Sequence, residues 1–250
     1  MWQTDFIEEE KTAIGNVHGV FYLDDHSRYL VGGGFFLDKG EEGLLQVTEG
    51  CVLENGLPKE VLSDNGSQYR VIGAKARGEG AKTRYELGWE SLGARVTFAA
   101  PYHPQTKGKE ERLNRLIIED FLNEVRERVG SLEELNQAFK GWRQQYNTLW
   151  PHSSLGFRPP ASRYCLGMEV EAERVFEAFA QESTRKVRLD GKIQVGRDFY
   201  QLPRGYERQR VFIQRLGERM KVTAGKDRKL LLELSLGLTQ GNLQGISSVA

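Results

Sequence analysis

Pro101-Tyr102-His103-Pro104-Gln105-Thr106-Lys107-Gly108-Lys109-Glu110-Glu111-Arg112-Leu113-Asn114-Arg115 is the stretch on which the fold turns. Two prolines and a glycine predict that it begins as a loop. It then becomes a helix, because Leu113, Leu116, Ile117, Phe121, Val125 and Val129 recur at helical spacing. This reading puts a carboxylate in the first turn of the helix, where the helix dipole alone already favours acidic side chains. Helical geometry sets Glu110 nearer than Glu111 to the stripe of Leu113 and Ile117. By itself, therefore, the stretch is compatible with ordinary surface chemistry.

Working outward, the flanking patterns describe an α/β layer. Trp2 to Ile7, Val17 to Leu23 and Tyr29 to Phe36 read as strands rich in β-branched and aromatic residues, the last two joined by a turn at Asp24-Asp25-His26-Ser27-Arg28. Glu41 to Asn55 reads as a helix that stops at Gly56 with Pro58 just beyond. A fourth strand follows at Lys59 to Leu62, a helix at Tyr85 to Leu92 and a fifth strand at Arg95 to Ala99. An antiparallel meander followed by alternating helices and strands predicts one mixed sheet flanked by helices. Downstream, Ser131 with Glu134 three residues later reads as a capped helix start, running to about Asn147.

The fourth strand delivers Ser63-Asp64-Asn65-Gly66-Ser67-Gln68-Tyr69, an acid at a strand end followed by a tight turn. Alone, Asp-Asn-Gly is a turn signal. Three segments in order say more. Trp2-Gln3-x-Asp5, Asp64-Asn65-Gly66-Ser67-x-Tyr69 and Pro104-Gln105-x-x-Gly108-x-x-Glu111-x-x-Asn114 resemble the three catalytic segments of retroviral integrases and DDE-type insertion-sequence transposases. The resemblance implies a ribonuclease H-like core over residues 1–165, with Asp5, Asp64 and Glu111 as catalytic metal ligands. It implies Mg²⁺, with Mn²⁺ able to substitute, and places Glu111 rather than Glu110 in the ligand register. One departure is the spacing: 46 residues separate Asp64 from Glu111, more than in the retroviral pattern, and the glycine-rich, basic Val71 to Thr83 accounts for the excess as a protruding loop. Tyr146-Asn147, Pro151 to Gly156 and Pro159-Pro160-Ala161 are similar to the segment that closes such cores in bacterial transposases. His152 within it reads as a structural histidine of a proline-rich linker.

Around the third segment lie Lys107, Lys109, Arg112 and Arg115. As partners of Glu110 and Glu111 on a helix surface they would contribute little, about 0 to 1 kcal/mol per pair. As neighbours of a cut phosphodiester they are phosphate contacts, a reading favoured for Lys109 and Arg115, with His103 and Gln105 ordering the DNA end. Glu111 and Arg115 are four apart and share a face. Asp24 and Asp25 form another carboxylate pair, which reads as part of a structural hairpin.

Composition bounds the rest. The chain has 250 residues and no net charge, but residues 1–183 carry 21 Lys+Arg against 29 Asp+Glu, and residues 184–232 carry 14 against 5. The neutral total hides a basic C-terminal segment suited to a polyanion. There is no apolar run of bilayer length and no export signal, so a soluble, cytoplasmic protein with no membrane partner is expected. Cys51 and Cys165 lack metal-ligand spacing and read as packing residues.

From Glu169 to Ser183 the spacing predicts a connecting helix, with residues 166–184 as the linker between domains. Apolar residues then alternate from Val187 to Leu234, with turns at Asp190-Gly191, Leu216-Gly217 and Ala224-Gly225, predicting a small all-β barrel over residues 185–236. Gly191 to Val195 with Tyr200 to Pro203 resembles the C-terminal barrel of phage-type and insertion-sequence transposases. Arg208 and Arg210 are its candidate DNA contacts, and Arg215 is expected to turn partly inward with Val211 and Ile213. Residues 237–250 are expected to be disordered.

The function expected from the resemblance is Mg²⁺-dependent hydrolysis at the ends of a DNA element, followed by transfer of the 3′-hydroxyl into target DNA. The partners expected are element-end and target DNA and further copies of the chain. Only four residues precede Asp5, so the alternative is a truncated copy, without a helix-turn-helix domain, that binds DNA or a full-length partner but does not transpose. A plain ribonuclease H-fold nuclease is a third reading, because fold alone does not fix activity.

Overall fold

A computed structural model describes residues 1–71, 81–99 and 104–235, without the side chains of 104–107. The expected protruding loop of Val71 to Thr83, apart from its ends, and the expected disordered tail lie outside the described residues, as does His103. Two compact units divide the chain, Met1–Phe179 and Ala180–Ala250.

In the first unit, β1 (Trp2–Thr12), β2 (Gly15–Asp24) and β3 (Leu30–Phe36) form an antiparallel meander. Helix α1 (Glu41–Asn55) leads to β4 (Glu60–Ser63), α2 (Arg84–Leu92) and β5 (Arg95–Phe98). The sheet order is β3-β2-β1-β4-β5, with β4 parallel to both β1 and β5. This is the mixed five-stranded sheet that the alternation of strands and helices predicts. Helix α2 begins with a reciprocal capping box between Thr83 and Glu86, which satisfies two backbone N–H groups that the first turn leaves open.

Helix α3 (Pro104–Leu116) starts earlier than the composition suggests. Proline is preorganised for a first helical position, and one interior glycine costs only about 1 kcal/mol, so Pro104 and Gly108 do not prevent the helix. Glu111 consequently sits in the third turn, and the dipole argument for an acid in the first turn does not apply to it. The chain continues through a π-helical segment, Ile117–Leu122, into the short α4 (Asn123–Val125). Leu113, Ile117, Phe121 and Leu122 join Phe21, Phe35 and Phe139 in the core. Helix α5 (Leu132–Leu149) is capped by Ser131, whose hydroxyl accepts from Glu134 N at 3.1 Å, while the Glu134 carboxylate accepts from Gly130 N at 2.8 Å.

The expected connecting helix is shorter. Helix α6 (Ala172–Phe179) packs into the first unit, where Phe179 lies edge-on to Trp89 at 5.5 Å, and residues 181–183 are strand. The strap between α5 and α6 is fastened where Leu57 and Met168 form a β-bridge.

The second unit has β6 (Gln181–Lys186), β7 (Lys192–Val195), β8 (Asp198–Gln201), β9 (Arg210–Leu216), β10 (Arg219–Ala224) and β11 (Lys229–Ser235). They form a four-stranded sheet in the order β11-β10-β9-β6 and a β7-β8 hairpin. Val187, Ile193, Leu202, Val211, Ile213, Met220 and Val222 share one core, so the expected all-β unit is built from a sheet and a hairpin. Among the described residues no helix is long and apolar enough to cross a membrane.

Candidate active site

The parallel register pairs Thr4 of β1 with Ser63 of β4, so the residue after each, Asp5 within β1 and Asp64 past the end of β4, is acidic. Asp64 directly follows the strand, and its Oδ1 accepts from Gly66 N at 2.8 Å, closing the turn that the Asp-Asn-Gly triplet encodes. Asn65 Nδ2 ties that turn to Ala99 O at 2.7 Å, just past β5. Asn114 of α3 donates its amide to Asp5 Oδ2 at 2.9 Å.

Behind the two acids lies a buried layer of hydroxyls. Thr4 Oγ1 is 3.2 Å from Tyr69 OH, and Ser63 Oγ is 2.8 Å from Tyr85 OH. Tyr22 OH is 2.6 Å from Thr48 Oγ1 and reaches Tyr85 OH at 3.5 Å. Burial pushes the Tyr69 hydroxyl well above its ordinary range, with Tyr85 and the charges of Asp64 and Asp5 adding to the effect. Tyr85 is pushed up to about 12 by burial, against the lowering effect of its bonds to Ser63 and Tyr22. These tyrosines are therefore neutral hydrogen-bonding supports for the strand ends.

On α3 the two adjacent glutamates part company. Glu110 is buried on the side of Leu113 and Ile117, as helical geometry predicts, whereas Glu111 is exposed, one turn before Asn114. Among the described residues, no three His, Cys, Asp or Glu side chains converge closely enough to hold a metal ion. The structure thus sets Asp5 and Asp64 side by side and leaves Glu111 on the adjoining helix, outside a closed three-carboxylate cluster.

Glu111 lines a cavity of about 840 Å³ between α3 and the segment after α5, together with Arg28, Lys109, Arg112, Arg115, Tyr146, Trp150, His152 and Phe157. Lys109 Nζ meets Asp25 Oδ1 at 2.5 Å, so its partner is the hairpin acid rather than either helix glutamate. Asp25 also accepts from Gln3 Nε2 at 2.8 Å. Asp24 Oδ2 takes Ser27 N and Oγ at 2.9 and 2.6 Å, which gives this pair the structural part expected of it. No carboxylate pairs with Arg112 or Arg115 among the described residues. Gln105 and Lys107 lie on α3, but their side chains are not described.

His152 is half-buried in a loop closed by its own bridge to Arg158. Burial lowers its pKa, and Arg112 and Arg28 lower it further. In the second unit, Arg208 and Arg210 are exposed, and Arg210 stands opposite Lys186 in the β6–β9 register. Arg215 is exposed rather than turned inward, because Leu216 fills the buried position at the end of β9.

With this geometry in view, residues 92–160 match the family described as integrase core domain. Over this segment the chain is similar to integrase cores. The chain is 24% identical over 163 residues to the insertion element IS476 uncharacterized 39.2 kDa protein of Xanthomonas euvesicatoria, covering 64% of this chain and 42% of that protein. It is 27% identical over 121 residues to the Gag-Pol polyprotein of gibbon ape leukemia virus, covering 47% of this chain and 6% of the polyprotein. The chain thus spans less than half the length of these curated relatives. In fold, it is similar to a chain of the simian T-cell lymphotropic virus intasome solved with the PP2A regulatory subunit B56 gamma. That match has a TM-score of 0.50 at 16% identity, over 92% of this chain and 76% of the other.

Proposed function

We propose that this chain is a DDE polynucleotidyl transferase, which hydrolyses phosphodiesters at DNA ends and transfers the resulting 3′-hydroxyl into a second DNA. The observation that carries the reading is the side-by-side register of Asp5 and Asp64, with Asn114 of the Glu111-bearing helix bonded to Asp5. Three carboxylates supply hard oxygen donors of the kind Mg²⁺ takes, and Asp5 and Asp64 each follow the last paired residues of β1 and β4, Thr4 and Ser63. Asp5, Asp64 and Glu111 would hold the metal, with Glu111 brought in from the adjoining helix. When bound, divalent metal supplies activation of the attacking oxygen and stabilisation of the leaving one.

The chain's own groups bind and orient. The Asn114 amide orients one Asp5 oxygen, and the Gly66 N–H orients one Asp64 oxygen. Tyr69 and Tyr85 brace the residues just before them. Arg112 and Arg115 are the proposed phosphate contacts, since guanidinium matches phosphate in two-point hydrogen bonding. Lys109 would reach a phosphate only by leaving Asp25. No side chain is asked to be a nucleophile.

The test is the purified chain with labelled DNA ends and Mg²⁺ or Mn²⁺. Metal-dependent nicking and joined products that vanish in Asp64→Asn support the reading. Nicking without joined products would reduce it to a nuclease, and activity retained in Asp64→Asn would remove it.

A further inference from the structure

Two features of the α3 cavity go beyond the proposed metal ligands. The first is its charge. Arg28, Lys109, Arg112 and Arg115 line it with Glu111 and Glu119, and Asp25 lies against Lys109 and Arg28 at 2.5 and 3.9 Å, so four cations meet three carboxylates before His152 is counted. The second is its backbone. Arg28 and Phe157 both adopt the left-handed region, at φ 61° and 60°. A non-glycine residue there costs about 1 to 2 kcal/mol and persists only where its surroundings hold it.

Both residues are held. Arg28 N donates to Asp24 O at 2.9 Å, Tyr146 OH donates to Arg28 O at 3.1 Å, and the Arg28 guanidinium bonds Asp25 O. Phe157 N donates to His152 O at 2.9 Å, within the loop closed by His152 N on Arg158 O at 3.1 Å. The result is a held backbone that carries a large aromatic ring, 75% exposed, in the lining of the cavity. No folding requirement calls for a phenylalanine there, since a turn needing this backbone would take Gly or Asn.

We propose that this cavity binds an unpaired nucleotide of a DNA strand, its phosphate on Arg28 and Arg112 and its base stacked on Phe157. The proposal deepens the reading of the chain as a DNA-cutting enzyme and rests on it. Its volume of about 840 Å³ is within the range of small-ligand sites, about 300 to 1,000 Å³, and suffices for a nucleotide. A duplex keeps its bases stacked on one another and offers the ring only backbone, so the exposed aromatic selects a single strand. Glu111 lines the same cavity, so the bound nucleotide lies beside the proposed cut.

The experiment compares the full chain's affinity for a blunt fluorescent duplex and for the same duplex carrying a three-thymidine single-stranded extension. Stacking of one base predicts about tenfold tighter binding of the extended duplex. Phe157→Asn, which tolerates left-handed backbone, should bring that affinity down to the blunt level, and Phe157→Trp should keep the increment. Equal affinity of the two DNAs, or an increment that survives Phe157→Asn, overturns the inference while leaving the proposed function standing. Binding of neither DNA overturns both.

Discussion

Asn114 Nδ2 donates to Asp5 Oδ2 at 2.9 Å, joining α3 to β1 across 109 residues of sequence. The bond orients a proposed ligand without replacing it. Outer contacts of this kind typically carry a 10- to 100-fold effect on metal affinity or activity. Asn114→Ala should therefore lower the metal-dependent nicking rate about 10- to 100-fold and raise the Mn²⁺ concentration for half-activity. A variant with unchanged metal dependence would show that the bond only fastens the helix.

The ligands themselves should cost more. Asp5→Asn, Asp64→Asn and Glu111→Gln each remove a charge at constant size, and each is expected to lose at least about 100-fold in nicking and joining. Circular dichroism should be unchanged. Because Glu110 is the buried neighbour, Glu110→Gln is the discriminating control: greater loss of activity there than in Glu111→Gln, with the fold intact, would reassign the third ligand.

Much of this was legible in the residues, and the exceptions have physical reasons. Helix α1 was bounded by Gly56 and Pro58, and β2 and β3 by the Asp24 to Arg28 turn, because local chemistry dictates those ends. The start of α3 was not, since Pro104 and Gly108 carry a loop-like propensity that helix geometry absorbs. Strand β6 was hidden because Gln181–Lys186 is exposed on nearly every residue, so no alternation marks it and its pairing with β9 supplies the order. In the site, Asp5, Asp64 and Glu111 came from motif register. The Lys109–Asp25 pair and the Arg28–Tyr146 bond join residues more than 80 apart, and no local pattern encodes them.

Packing between α2 and α6 gives a stability test. A Cβ on Gly88 would lie 2.4 Å from two ring atoms of Phe179 and 2.9 Å from Ala178 O. Helix propensity would return about 1 kcal/mol, but overpacking a buried ring costs about 1 to 3 kcal/mol, and the close carbonyl is backbone that cannot turn away. Gly88→Ala should lower the melting temperature by a few degrees. An unchanged or raised value would mean that α6 yields readily.

Acid sensitivity should trace partly to His152. Its pKa is lowered in the folded state by burial and then by Arg112 and Arg28, so the unfolded chain binds the proton more readily. Stability from this group is present above the unfolded value of about 6.5 and is lost as pH falls below it. His152→Gln should flatten the decline in urea midpoint on that side of neutrality. An identical decline in the variant would assign the acid sensitivity to other groups.

The second unit offers a test that counts phosphates. Arg208 and Arg210 are both exposed, and Arg210 stands opposite Lys186. Arg208 is joined to Val187 O through its backbone N–H at 2.9 Å, a bond that side-chain replacement leaves intact. Changing both arginines to glutamine should thus preserve the fold while removing two cations. If each neutralises a DNA phosphate, the log–log dependence of duplex affinity on salt should become shallower by about 0.9 per arginine, or about 1.8 for the pair. Nicking at saturating DNA should persist, because Asp5, Asp64 and Glu111 all belong to the first unit. A salt slope unchanged in the double variant would mean that these arginines are merely solvated, and that α3 carries the phosphate contacts alone.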